Sequence, residues 1–216
     1  MPQSKPKPKR TVKYVGSRTI RKEDPRLLSG RGSFVDDVHL PNTGHLALLR
    51  SPYANARITR LDTSRAGALE GVYEVVTGAD LRGVLDDIPP MGVLPDLHVP
   101  MHPVLATDRV RYVGEPVAAV VAVDRYIAQD ALDLIQADYD LLPAVVDMEK
   151  AMRSGSPVVH EKWNSNIAGT FRLDSGDVEG AFRKAHRVVK GRFVNQRLAP
   201  MPMEGRAVQA DRKSVV

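Results

Sequence analysis

The 216-residue chain contains no cysteine. That excludes a disulfide scaffold, a cysteine nucleophile and iron–sulfur ligation by this chain's own thiolates. Aromatic residues make up only 5% and tryptophan occurs once, so there is little material for an aromatic nucleic-acid platform. Long hydrophobic runs are absent too. The longest, Val117 to Val123, falls far short of the ~18–20 apolar residues of a membrane-spanning helix and suits a buried strand. Acids are missing from the first 22 residues, which hold eight bases: Lys5, Lys7, Lys9, Arg10, Lys13, Arg18, Arg21 and Lys22. Without those eight, 23 bases face 26 acids, so the net charge of +5 belongs to the tail and the body is mildly acidic. The body therefore offers no electrostatic case for nucleic acid.

What remains is globular. Hydrophobic residues at 43% and charged residues at 26% are ordinary values. The opening PQSKPKPKR has nothing to bury and reads as a solvated, disordered arm over residues 1–22. It lacks the apolar stretch of a secretory signal. Asp24-Pro25 predicts a short helical turn with Asp24 as cap, Leu27 and Leu28 facing inward, and Gly30 stopping it. Short strands are expected at Ser33 to Val35, His45 to Ser51, the ARITRLD segment and Val72 to Val76, with helical turns at Ser64 to Glu70 and Ala79 to Val84. Leu85 to Pro103, rich in proline, glycine and aspartate, predicts a long irregular loop.

Val117 to Val123 predicts a strand covered on both faces. Behind it, Asp124 is a helix cap, and Ile127, Ala128, Ala131, Leu132 and Ile135 fall on one face of a helix. ADYD then returns as a strand. Asp147 predicts a cap for a turn through Met152, and Asp177 a helix through Ala185. His186 to Val194 alternates like a strand, with Ala207 to Ala210 as its partner.

No residue pattern announces a catalytic centre. His98 and His102 stand four apart, but Pro100 between them disfavours the helix that would align them on a metal. His39, His45, His160 and His186 are isolated and read as surface or hydrogen-bonded structural residues. GRGS at Gly30 to Ser33 lacks the length and lysine of a phosphate-binding loop. Glu115, at the mouth of the buried strand, has the position of a general base but more simply belongs to a turn. Glu204 in PMPME reads as a surface or hydrogen-bonded acid beside packed methionines. No residue is assigned a catalytic, cofactor-binding or metal-binding role.

Seven segments, taken together, resemble the molybdenum-binding large subunit of the xanthine dehydrogenase / aldehyde oxidase family, nearest its aerobic carbon monoxide dehydrogenase branch. They are RKEDPRLLSGRGSFVDDVHLP, LLRSPYANARITRLD, GVYEVVTGADL, LATDRVRYVGEPVAAVVA, DYDLLPAVVD, GDVEGAF and RLAPMPMEGRAVQA, in the family's order between Arg21 and Ala210. The resemblance implies an α+β chain: an α/β hammerhead domain over residues 23–146, a linker over 147–165, and the start of a first molybdopterin-binding domain over 166–211. It implies a cytoplasmic enzyme that oxidises a small substrate with water-derived oxygen on a molybdenum-pyranopterin. Electrons leave through partner chains bearing [2Fe–2S] and FAD, in a dimer of heterotrimers. The family's glycine-rich cofactor loop and catalytic glutamate would lie beyond Val216, so no site residue carries over, and the fragment alone is expected to be inactive scaffold. Where the family often has PMEPR, this chain has Met203-Glu204-Gly205-Arg206. The closing DRKSVV matches what a common sequencing adapter encodes, so residues 212–216 are expected to be non-native. The alternatives are a stand-alone, non-enzymatic hammerhead module for assembly or binding, and an RNA-binding accessory protein resting on the basic tail.

Overall fold

The computed structural model describes residues 14–89, 96–202, 204–211 and 214–215. The basic residues Lys5, Lys7, Lys9, Arg10 and Lys13, together with Met203, lie outside that set. The chain divides into two compact units, Pro41–Phe193 and the pair of segments Met1–Leu40 with Val194–Val216.

The larger unit holds two three-stranded antiparallel sheets. One has β5 (Pro116–Ala122) at its centre, flanked by β1 (His45–Arg50) and β3 (Val72–Thr77). The other has β2 (Ala56–Asp62) at its centre, flanked by β4 (Arg109–Val110) and β6 (Gln136–Leu141). The continuous apolar run expected at Val117 to Val123 is the middle strand of the first sheet. Its successive side chains point to opposite faces. Ala118 and Val120 enter one apolar cluster with Ala66, Ala131 and Leu132, while Val117 enters a second with Ala56, Ala106 and Val110. Leu49 and Leu61 pack against both clusters. Val123 lies past the strand's end and is exposed.

Helix α4 (Arg125–Asp133) covers the first sheet, lying against β1 and β5. Asp124 caps it as expected, accepting the backbone N–H groups of Tyr126 and Ile127 at 2.8 Å each. Ala128, Ala131 and Leu132 are buried on its inner face, and Ile135, two residues past its end, joins the same cluster as Ala131 and Leu132. The strands on either side of this helix belong to different sheets, β5 to the first and β6 to the second.

On β2, Ile58 and Leu61 are three residues apart, a spacing that strict alternation would put on opposite faces. The ladder solves this with a bulge. Ile58 faces Tyr139 and Arg60 faces Asp138, leaving Thr59 as the extra residue. Both apolar side chains then pack inward.

The turns are shorter than expected: α2 covers Ser64–Gly67 and α3 Gly78–Leu81. At α3, the Asp80 carboxylate accepts from the Thr77 N–H at 2.8 Å and the Thr77 hydroxyl at 2.6 Å. Helix α5 (Met148–Ala151) is capped by Asp147, and α6 (Val178–Lys184) by Asp177.

The expected strand at His186 to Val194 does not form; that segment has no ladder partner among the described residues, and Val189, Phe193 and Val194 are exposed. Alternation alone cannot make a strand without a neighbour to complete its hydrogen bonds.

In the smaller unit, α1 (Asp24–Leu28) starts one residue earlier than expected, with Glu23 at the cap and no capping side-chain hydrogen bond. Leu27 and Leu28 are exposed, at 40% and 87%, rather than facing inward. The segment expected as a strand at Ser33 to Val35 instead enters a 3-10 turn at Val35–Asp37, where Asp37 accepts from the Phe34 N–H at 3.0 Å. An aspartate pair favours such local capping over extension. The strand expected at Ala207 to Ala210 reduces to β7 (Ala210–Asp211), paired with β8 (Ser214–Val215).

Candidate functional site

Among the described residues of the larger unit, polar side chains converge around Arg109. The residue sits in β4 at 6% exposure. Its Nε donates to Asn55 Oδ1 at 2.9 Å and its Nη1 to Glu161 Oε1 at 2.8 Å. Asn55, itself buried, donates from Nδ2 to the Pro143 carbonyl at 2.7 Å and accepts the Leu142 N–H on its own carbonyl at 2.9 Å. Arg57 approaches Glu161 at 4.0 Å. One buried guanidinium thus ties the approach to β2, the exit of β6 and the turn at Glu161–Trp163 together. A buried cation needs this many partners, because an unpaired one loses its hydration without compensation.

Beside it stands Trp163. The His98 ring stacks on it, with centroids 5.2 Å apart and planes 13° apart, and His160 contacts it at 4.9 Å. Lys162 Nζ lies 4.5 Å from the ring centroid. The backbone N–H of His98 donates to the Ala168 carbonyl at 2.7 Å. Burial, and then the neighbouring Arg111, His102, Lys162 and Arg109, hold the His160 imidazole below its ordinary value of 6.5. Arg111 Nε is buried without a hydrogen-bond partner among the described residues. Its side chain also lines an open cleft of about 520 Å³ with Arg82, Asp86, Asp87, Thr107 and Asp108.

The residues weighed from the sequence are dispersed. Among the described residues, no group of three or more His, Cys, Asp or Glu is placed to hold a metal ion. His98 turns to Trp163, and His102 makes a short bridge to Ile88 through reciprocal backbone hydrogen bonds of 2.7 and 2.9 Å. Glu115 is 3% exposed and accepts the Arg111 backbone N–H, so its carboxylate closes a turn. At Gly30 to Ser33, Gly30 has φ +69° and the space a side chain on Gly32 would need is filled by Leu27 and Phe34. Glu204, in the smaller unit, accepts the Val35 N–H at 3.3 Å. No local motif announces the Arg109 and Trp163 groups: Asn55 and Glu161 lie 54 and 52 residues from Arg109, and His98 comes to Trp163 from a distant loop.

Residues 29–143 match the family model of the aldehyde oxidase and xanthine dehydrogenase a/b hammerhead domain, and residues 159–214 that of the molybdopterin cofactor-binding domain. The first match alone spans more than half the chain.

The chain belongs to the aldehyde oxidase and xanthine dehydrogenase family.

Within the family, it is 39% identical over 201 residues to the nicotine 6-hydroxylase large subunit of Paenarthrobacter nicotinovorans, covering 93% of this chain and 24% of that one. It is 38% identical over 203 residues to the carbon monoxide dehydrogenase large chain of Afipia carboxidovorans, covering 88% and 24%. Among solved structures, it resembles quinoline 2-oxidoreductase from Pseudomonas putida 86 with a TM-score of 0.66 and 40% identity, over 71% of this chain and 20% of that one. A Cu,Mo-CO dehydrogenase gives a TM-score of 0.65 at 39% identity, over 79% and 22%. The chain spans about a quarter of the length of these curated relatives.

The family match divides the polar site in two. Arg109 and His98 fall in the hammerhead region, whereas His160, Glu161 and Trp163 fall in the molybdopterin-binding region. The buried orphan donor, Arg111 Nε, lies outside the 159–214 segment matched to the molybdopterin-binding domain, so no described residue of that segment is assigned to a pyranopterin. Among the described residues, no helix is long and apolar enough to cross a membrane.

Proposed function

We propose that this chain is the N-terminal part of the molybdenum-binding large subunit of an oxidoreductase. The complete enzyme oxidises a small substrate, such as an aldehyde, an N-heterocycle or carbon monoxide, with water-derived oxygen. Its electrons pass to partner chains that carry [2Fe–2S] and FAD, in a cytoplasmic dimer of heterotrimers. Within it, residues 23–146 are a hammerhead scaffold, 147–165 a linker, and 166–211 the opening of the molybdopterin-binding domain. The observation that carries this reading is the tandem order of the two family matches on a chain covering a quarter of its relatives.

The role of this chain's own residues is to position. The two sheets and α4 form a packed body, and Arg109 and Trp163 hold the following segment against it. The purified 216-residue chain should reduce no dye with aldehydes, purines or carbon monoxide, while the product of the complete locus, expressed with its neighbouring iron–sulfur and flavin genes, should do so. Turnover by the 216-residue chain overturns the reading. A genuine stop after Val216 with no such neighbouring genes favours the stand-alone assembly module instead.

A further inference from the structure

We propose that Trp163, gripped between His98 and His160, is a proton-operated latch that fastens the linker into the molybdopterin-binding region to the hammerhead and opens when His160 is protonated. The latch concerns contacts within this chain, so it stands or falls independently of the activity of the longer protein.

The geometry is that of a closure made between two distant segments. His98 comes from the irregular loop before β4; His160 and Trp163 come from the segment that follows α5. Two ring contacts and the His98 N–H to Ala168 carbonyl bond join them. Parallel stacking of an imidazole on an indole at this separation is attractive. The ion pair from Arg109 to Glu161 fastens the same segment two residues before Trp163.

The charges around the latch decide its response. Arg109 and Arg111 face His160 from β4 and the residue after it, His102 from the loop, and Lys162 from its own turn. Glu161 is the acid at this junction, and it is already engaged by Arg109. Lys162 already occupies a position over the Trp163 ring. An imidazolium gains by a cation–π contact with an indole. Against it, burial comes first and the neighbouring cations Arg111, Lys162 and Arg109 follow in disfavouring the charged form of His160. The sign follows from linkage. A histidine held below 6.5 in the closed latch binds its proton more readily in the open one. Closure is therefore favoured above 6.5 and weakens as the pH falls below it.

Trp163 is the single tryptophan, so it reports its own environment. The test is intrinsic fluorescence of the full 216-residue chain between about pH 7.5 and 5.5, a window that brackets an ordinary histidine. Expected is a red shift of emission and greater quenching by acrylamide at the acid end, with an unchanged far-UV circular dichroism spectrum. His160→Phe keeps a ring against Trp163 but takes no proton, and should hold the neutral-pH emission throughout. Should that variant fail to fold, the imidazole proton resonance of His160 in the unaltered chain decides, with a midpoint below 6.5 expected. Emission that does not move with pH, a red shift that persists in His160→Phe, loss of secondary structure together with the shift, or a His160 midpoint at or above 6.5 would each overturn the latch.

Discussion

Arg109 Nη1 donates to Glu161 Oε1 across 2.8 Å, from a side chain 7% exposed to one 69% exposed. The pair is asymmetric in consequence. Arg109 is fixed from inside by Asn55, and Glu161 comes to it from the surface. Arg109→Ala removes the donor to a buried amide oxygen and leaves a void, at a cost of about 2–4 kcal/mol. Glu161→Gln keeps an oxygen that can accept from Nη1 but removes the buried guanidinium's counter-charge; because that charge is largely solvent-screened, the cost should be smaller, about 1 kcal/mol. Urea denaturation of the two variants checks this; equal shifts in midpoint would show that the ion pair, not the Asn55 bond, is what matters.

Gly78 opens α3, where alanine would ordinarily be preferred by ~1 kcal/mol. Here the preference reverses. A Cβ at this position would lie 2.6 Å from the Leu105 carbonyl oxygen, 2.7 Å from Thr107 Cγ2 and 2.8 Å from the Ala106 carbonyl oxygen. Two of those atoms are backbone and cannot swing aside. Gly78→Ala should therefore destabilise by about 1–3 kcal/mol, with a lowered thermal midpoint, whereas Gly67→Ala, which meets nothing within 4 Å, should not.

Asp62 is held down to about 2 by the Ser64 hydroxyl, the Ser64 backbone N–H and Arg60. The hydroxyl, at 2.6 Å, is the largest cause. Because the folded value lies below the ordinary 3.8, this carboxylate's contribution to stability is present above 3.8 and is lost as the pH falls through about 2. Carboxyl-carbon NMR should find Asp62 titrating near 2, and Ser64→Ala should move it up toward 3.8. An unmoved midpoint would remove the hydroxyl as the cause.

The legibility of this fold in its sequence follows the range of the forces involved. Helix α4 could be read because its cap, Asp124, and its apolar face are local. Strand β5 could be read because burial on both faces leaves a continuous apolar run. The bulge at Thr59 could only be suspected from the three-residue spacing of Ile58 and Leu61, since the partner that fixes the register is β6. His186 to Val194 was misread for the opposite reason: its alternation is real, but a strand is a property of two segments. Leu27 and Leu28 look like core residues and are exposed, because a five-residue helix has an inner face only where something packs on it. The polar site was invisible. Arg109 is one of 31 basic residues, and nothing near it in sequence marks Asn55 or Glu161 as its partners.

In the proposed reading these residues are the scaffold and opening segment of a molybdenum-binding subunit whose cofactor site is completed by a longer chain. Elemental analysis for molybdenum tests it most directly, on the purified 216-residue chain beside the product of the complete locus made in the same host. The account predicts stoichiometric molybdenum in the complete subunit and none in the 216-residue chain. Stoichiometric molybdenum on the 216-residue chain, or none on the complete subunit, would contradict it.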